Sequence, residues 1–593
     1  MPSLLGRFNE CPRIREQSMS YGTTGTTPRL HLEDHADVLY QPVKEDDPQL
    51  TSKVAQEGVR LAEATTNAWT KTSLRSAYVF MWLLYFVNAW RLSLTSNLLP
   101  FITSGFESHS LIPVIVIVSS IMGAVTYMPL AKVLNVWDRS TGFAIMVLFA
   151  MVGLILSATC NGIGVFCASQ VFYSIGFTGI IFAVDVVTAD TSTLRDRGLA
   201  YAFTASPYII TAFAGPKAAM SFNDNNWRWA FGTFAIILPF VALPFFVLLR
   251  YNRNVAMKKG LIPSKAKSNR TIVQSIWYYA VQFDLIGTFL LGAALILILL
   301  PFTIAQAAAN GWREYYIIFM LVVGIACLLA FGFVERFVAP VPFLPWEMLS
   351  SRTVIGTCLL DATYLISYYC WNDYFSSYLQ VVYGVDLATG GYISNVFDVV
   401  SGIWLLAVGL LIKKSGRFRW LLIIAVPLYI LGIGLMIYFR RPSFSVGYTV
   451  MCQIFLAFAG GTMIICQQVA ILAVSDHKNV ASSLAFLGVF GNIGGGIGSS
   501  VSGAIWTQSL PDALQRLLPQ SAVNDWEKIY DDINVQLSYP LGSPERTAII
   551  AAYAQSQSRM LIAGTAIMAL SLIWIFVIQD IKVTKTQTKG VLF

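Results

Sequence analysis

The chain has 593 residues, 56% of them hydrophobic and only 12% charged, where soluble domains average roughly a quarter charged. That balance excludes an ordinary soluble domain and points to a protein solvated largely by lipid. The net charge of +8 arises from 40 Lys and Arg against 32 Asp and Glu, dispersed over polar intervals between apolar runs, which argues against a nucleic-acid surface.

Residues 1–72 mix Ser, Thr, Pro, Glu and Asp without helical periodicity and are expected to form a disordered cytosolic tail. No cleavable signal peptide is visible, since the first apolar run is too long and comes too late. Fourteen runs of the roughly 20 residues needed to cross a hydrocarbon core then follow. They cover approximately 74–96, 111–133, 141–160, 163–189, 198–220, 227–249, 282–305, 315–335, 353–381, 387–412, 419–439, 444–473, 479–506 and 559–579. Backbone amides in lipid must be satisfied within their own segment, so each run is read as a helix. The fold expected is all-α, a polytopic membrane protein. Its parts are a six-helix half at 73–250, a basic cytosolic linker at 251–281 and two extra central helices at 282–335. A second six-helix half follows at 336–506 and 559–580, with a long extracellular loop at 507–558 and a cytosolic tail at 581–593.

Orientation follows from basic residues. With the amino end in the cytosol, loops on that side carry roughly 18 Lys and Arg and the opposite loops about 8. The interval from Arg250 to Val281 dominates that bias, and it contains the sequon Asn269-Arg-Thr271, which is expected to stay unglycosylated. Seven of the eight cysteines fall in or beside spans without metal-ligand spacing. Cys160 and Cys167 flank a short turn, where helix packing is a better reading than pairing. The loop stretches LPDALQRLLP and NDWEKIYDDINVQL show helical apolar spacing, so short amphipathic helices are expected there.

A weak internal repeat accompanies the two halves. AKVLNVWDR, Ala131 to Arg139, follows span 2, and GLLIKKSGR, Gly409 to Arg417, follows span 10. Both resemble the Gly-x-x-x-Asp-x-x-Gly-Arg loop of the major facilitator superfamily, with Asn135 and Lys413 at the acid position. No Walker-type lysine or HExxH is present, so the sequence offers no residues for ATP-driven pumping or metalloprotease chemistry. The run GVFGNIGGGIGSS, Gly488 to Ser500, reads as a close-packing face or a flexible gate.

Four further stretches carry a closer likeness: ITSGFESHSL at 102–111, CWNDYFSSYLQVV at 370–382, the glycine run leading into GAIWTQSLPDALQRLLP, and YPLGSPERTAIIAAYAQSQSRM at 539–560. They resemble the fungal siderophore–iron transporters, a fourteen-span branch of the major facilitator superfamily, over about residues 74–580. The resemblance implies proton-driven import of ferric hydroxamate siderophores across the plasma membrane, by a monomer with both termini cytosolic. Iron would travel as the siderophore complex, with no resident cofactor or metal. The alternatives are a drug/proton or glutathione/proton antiporter of the same superfamily and a non-transporting membrane receptor. The antiporter signature on span 5 keeps Gly215-Pro216 but departs from its usual form at Lys217.

Candidate site residues come from polar groups inside the spans. At about 100° per residue, Asp361, Tyr364, Tyr368, Trp371, Phe375 and Tyr378 share one arc of span 9, with Asp373 off it. Tyr and Trp rings offer apolar area together with an O–H or N–H, suiting a cleft wall for a bulky, largely neutral complex; interhelical packing is the plainer reading. Intramembrane carboxylates are costly, which makes Asp398, Asp361 and Asp185 the proton-coupling candidates and Asp373 a binding candidate. Asn395 lies on the same side as Asp398, and Arg91 is the cationic counterpart in span 1. Tyr539 and Tyr553 in the far loop region are candidates for first contact with the ligand, and His109 for an exposed or gating role. Arg139, Lys413, Arg417, Gly494 and Gly495 are gating candidates.

Overall fold

The computed structural model describes residues 69–193, 195–260, 271–340, 343, 346–475 and 480–583. Most of the two expected tails, and Asn269 with much of the basic linker, lie outside these residues. The first half contains α1 (Lys71–Ser104), α2 (Ile112–Val136), α3 (Arg139–Thr159), α4 (Ile163–Asp190), α5 (Arg197–Ala205), α6 (Pro207–Asn225) and α7 (Arg228–Lys258). Next come α8 (Ile272–Gln282), the extra helices α9 (Leu285–Leu299), α10 (Pro301–Ile304) and α11 (Tyr315–Phe337), and the short α12 (Trp346–Ser350). The second half is built from α13 (Arg352–Asn372), α14 (Phe375–Tyr383), α15 (Leu387–Ser394), α16 (Val396–Ser415), α17 (Arg419–Phe439), α18 (Val446–Val474) and α19 (Val480–Leu517). The loop helices α20 (Trp526–Asp531) and α21 (Ile533–Ser538) precede α22 (Pro544–Met568) and α23 (Ser571–Val577). Each predicted run is helical, and both loop stretches do form helix.

Eleven segments among the described residues are long and apolar enough to cross a membrane. The predicted runs below that measure are α1, α5–α6 and α13–α14. Each carries polar residues that line a central cavity, which lowers its apolar content. Five runs are interrupted: at Ser206 between α5 and α6, at Leu300 between α9 and α10, at Asp373–Tyr374 between α13 and α14, at Asn395 between α15 and α16, and at Ala569–Leu570 between α22 and α23.

Helices α1, α6 and α7 pack together, as do α3 with α4 and α7; in the second half α13 packs on α19 and α22, and α18 on α16 and α17. The halves meet along two seams, α2 against α19 and α5–α6 against α15–α16. The seams depend on small residues. A Cβ at Gly496 would sit 2.8 Å from Ile121 Cδ1 and one at Gly409 would sit 2.9 Å from the Leu199 amide, while within the second half one at Gly494 would sit 2.5 Å from the Ala362 carbonyl oxygen. The glycine run therefore serves close approach, with Gly495 facing Tyr369 and Ser120. Helix α9 lies over the α2–α19 seam, where Ser500 donates to the Leu299 carbonyl at 2.9 Å.

The near face, where α1 begins, is held by ion pairs. Arg139 meets Asp190 at 2.9 Å within the first half, and Arg417 meets Asp580 at 2.6 Å within the second. Lys413 meets Asp196 at 2.8 Å across the halves, and Arg195 donates to the Lys413 carbonyl at 2.7 Å. At the far face the loop ties the halves instead. Ser110 donates to Asp531 at 2.7 Å, the Ile533 amide to Ser104 at 3.0 Å, and Tyr374 to the Ser110 carbonyl at 3.0 Å. Burial pushes the Asp531 carboxyl above its ordinary range, against the lowering effect of the Ser110 hydrogen bonds. His109 is fully buried beside Tyr374, which corrects the exposed-loop reading: the turn is capped by the far loop. Cys160 and Cys167 are both free thiols, as expected of packing residues.

Candidate substrate and coupling site

A cavity of about 540 Å³ lies between the halves, lined from α1, α2, α4 and α6 on one side and α13, α16 and α19 on the other. Arg91 supplies the cation of the first-half wall. Its Nη2 donates to Asn88 at 2.8 Å, and its guanidinium carbon stands 4.0 Å from the Phe177 ring and 4.5 Å from Tyr173. No ion pair to Arg91 occurs among the described residues, and its Nε is buried without a partner. The Asn88 amide donates onward to the Tyr208 hydroxyl at 3.3 Å. Two ring faces hold the charge in place while leaving it without a carboxylate.

The second-half wall carries the acids, and helix interruptions place both. Asp373 stands at the α13–α14 break, with one carboxylate oxygen buried and unpartnered. Asp398 sits in the first turn of α16, directly after the break at Asn395. There the unpaired amides of a helix start favour a negative group. Asn395 lines the cavity, but its amide is committed elsewhere: Nδ2 donates to Ser93 and to the Ala212 carbonyl, both at 2.9 Å. Those bonds tie the break to the first half.

The other two acids lie away from the cavity lining. Asp185 accepts from Tyr85 at 2.5 Å, and Tyr201 donates to the Asp185 carbonyl at 3.3 Å. Asp361 is held by Gln467: with the amide oriented to satisfy both groups, it donates to the carboxylate at 2.9 Å and accepts the Asp361 amide at 3.2 Å. Between them stands Tyr127, a lining residue whose ring lies so close to Gly488 that a Cβ there would be 2.6 Å away.

The aromatic arc of α13 departs from the expected cleft wall. Tyr368 reaches the cavity, together with Tyr369, Asn372 and Asp373 from outside the arc. Tyr364, Trp371, Phe375 and Tyr378 turn into the second half instead. Tyr364 packs on Tyr429 at 5.4 Å, Trp371 Nε1 donates to the Tyr429 hydroxyl at 3.3 Å, and Phe375 and Tyr378 flank Arg440. The arc is a packing face because α17 lies against it. Tyr553 is likewise buried, stacking edge-on to Trp506 at 4.9 Å and donating to Gln536, so it packs the loop. Tyr539 is half-buried at the end of α21, where its carbonyl accepts from Arg546. Lys217 is exposed, consistent with a snorkelling side chain. Tyr127, Tyr208, Asn88 and Asn492 line the cavity without having been singled out in the sequence. For Asn88 and Asn492 the signal was available, as amides inside apolar runs.

Two multi-helix halves closing over an internal cavity with opposed charges define a secondary transporter of the major facilitator type, not an enzyme. A model of the Major Facilitator Superfamily matches residues 81–307. A mutant of the peptide transporter POT shares the fold, at a TM-score of 0.50 and 14% identity, covering 85% of this chain and 96% of that one. The chain is 67% identical over 92% of its length to the MFS siderochrome iron transporter D of Aspergillus fumigatus, covering 91% of that protein. It is 48% identical to the siderophore iron transporter mirB of Emericella nidulans, again over 92% of this chain and 91% of the relative. The chain belongs to the siderochrome iron transporter family of the major facilitator superfamily.

Proposed function

We propose that this protein imports ferric siderophores of the hydroxamate type across the fungal plasma membrane, coupled to proton entry, by alternating access of its two halves. The observation that carries the reading is the cavity itself. An unpaired Arg91 of one half lines the same cavity as Asp373 and Asp398 of the other, together with Tyr and Asn side chains. The relatives named as siderophore iron transporters supply the substrate class. A ferric trihydroxamate is bulky and largely neutral, offering amide and oxygen acceptors to Arg91 and the phenols, and apolar surface to the rings. Iron is cargo within that complex.

In this reading Asp398 takes the proton. Neutralising it removes the cost of a bare carboxylate in the cavity while the halves close and reopen around the ligand. The first half and second half then rock about the cavity, so the near-face tie of Lys413 to Asp196 and the far-face tie of Ser110 to Asp531 must release in turn. The near face is the cytosolic one, since it carries Arg139, Arg250, Arg253, Lys413 and Arg417. The carrier works as a monomer, because each half of the cavity comes from the same chain. Uptake of radiolabelled ferric siderophores into yeast lacking its own siderophore carriers tests the proposal. The expected result is saturable accumulation that a protonophore collapses. Normal surface expression with no accumulation of any hydroxamate complex would overturn it.

A further inference from the structure

Arg440 ends α17 and is only 1% exposed, yet no carboxylate pairs with it among the described residues. Its Nη1 donates to the Trp371 carbonyl at 2.8 Å, next to the α13–α14 break. The guanidinium carbon lies 4.3 Å from the Phe375 ring and 4.8 Å from the Tyr378 ring. Its Nε and Nη2 are buried with no acceptor. The hydroxyls of Tyr378 and Tyr383 are buried with no partner beyond each other, and their rings are 5.8 Å apart at the end of α14.

Such a cluster is incomplete as it stands. A buried guanidinium without a counter-charge is strongly penalised, and each donor left without an acceptor adds to the cost. Ring faces offset part of the charge term but accept no directed hydrogen bond from Nε or Nη2. Water would accept the hydrogen bonds while leaving the charge uncompensated. A compact anion would meet both needs at once. We propose that Arg440, Tyr378 and Tyr383 form a binding site for a small monovalent anion of the halide class, chloride being the abundant member. Bound there, the anion neutralises Arg440 while its Nη1 still holds the Trp371 carbonyl, and so steadies the break that presents Asp373 to the cavity. The inference concerns the second half alone and does not depend on what the cavity carries.

The test uses the full-length carrier, purified in chloride-free gluconate buffer and titrated with sodium chloride at constant ionic strength while Tm is followed. The expected result is a saturable rise in Tm, reproduced by bromide. Tyr378→Phe and Tyr383→Phe keep both rings and remove one donor each, so each should weaken the apparent chloride affinity by roughly tenfold. Arg440→Gln should abolish the response; should that variant fail to fold, the two Phe variants still decide. A flat wild-type titration means that water satisfies the donors and overturns the proposal. A chloride response left unchanged by both Phe variants locates the ion elsewhere and overturns it equally.

Discussion

Replacing Trp371 by Ala separates two readings of span 9. The side chain is fully buried, with its ring 5.3 Å from Tyr368 and 5.6 Å from Phe375, and its Nε1 bonded to Tyr429 at 3.3 Å. In a membrane protein the transfer part of a large-to-small change is small, because lipid is as apolar as the interior the ring leaves. The void is what remains. A cavity on the order of 100 Å³ at about 24 cal/mol per Å³ gives roughly 2.4 kcal/mol. Stranding the Tyr429 hydroxyl adds about 1 kcal/mol. Trp371→Ala should therefore cost about 3 kcal/mol of stability, seen as a Tm lower by on the order of 5 °C in the purified carrier. Ligand affinity of the surviving folded fraction should stay near wild type. Tyr368→Ala should do the converse, weakening siderophore binding by about 1 kcal/mol or more. The assay pairs a thermal melt with equilibrium binding on the same preparations. An unaltered Tm for Trp371→Ala together with weakened binding would show that the ring reaches the ligand, and the assignment of the arc to helix packing would fall.

Asp398→Asn keeps the shape but cannot carry a proton, so uphill accumulation should be abolished while much of the binding survives; unchanged pH-dependent accumulation would move the role to Asp361 or Asp185. Lys413→Glu replaces the ammonium that stands 2.8 Å from Asp196 at the seam with a like charge and should favour opening of the near face. Greater labelling of a cysteine introduced at Tyr208 by a reagent added on that side checks it, and unaltered labelling would mean that the tie is not a gate. Asp138 is tied to Ser140, Thr141 and Arg253; burial opposes its ionisation, but these partners outweigh it and hold the carboxyl below its ordinary 3.8. Its contribution is thus present above that value and lost as pH falls through the depressed folded one, so the Tm gap between wild type and Asp138→Asn should close on acidification and must not widen. Asn269 should remain unglycosylated, since a glycan there would put the basic linker outside.

How much of this was legible beforehand depends on what each feature answers to. The helices were readable because the bilayer imposes a length and an apolar composition on every crossing segment, and both are local properties. The inter-half tie at Lys413 was pointed to by the repeated loop, although its partner Asp196 was seen only as the structure placed it. The interruptions of α13–α14 and α15–α16 were not readable, since neither has proline or glycine at the break. They are held from outside the segment: Arg440 takes the Trp371 carbonyl, and Ser93 and Ala212 take the Asn395 amide. The aromatic arc shows the same limit more sharply. Helical periodicity correctly grouped Tyr364, Trp371, Phe375 and Tyr378 on one face, but a span in a two-half carrier has two protein-facing sides. One looks into its own bundle and one across the cavity, and both exclude lipid. Large rings suit the first, where they pack against α17. The cavity side is instead marked by smaller polar groups among the rings, as Asn372, Asp373 and Ser376 are, because a space that admits and releases a hydrated ligand must keep polar atoms uncommitted. By that criterion the carboxylate in YYCWNDYFSSYL indicates the transport side of the helix, and the rings around it indicate mainly what the helix rests on.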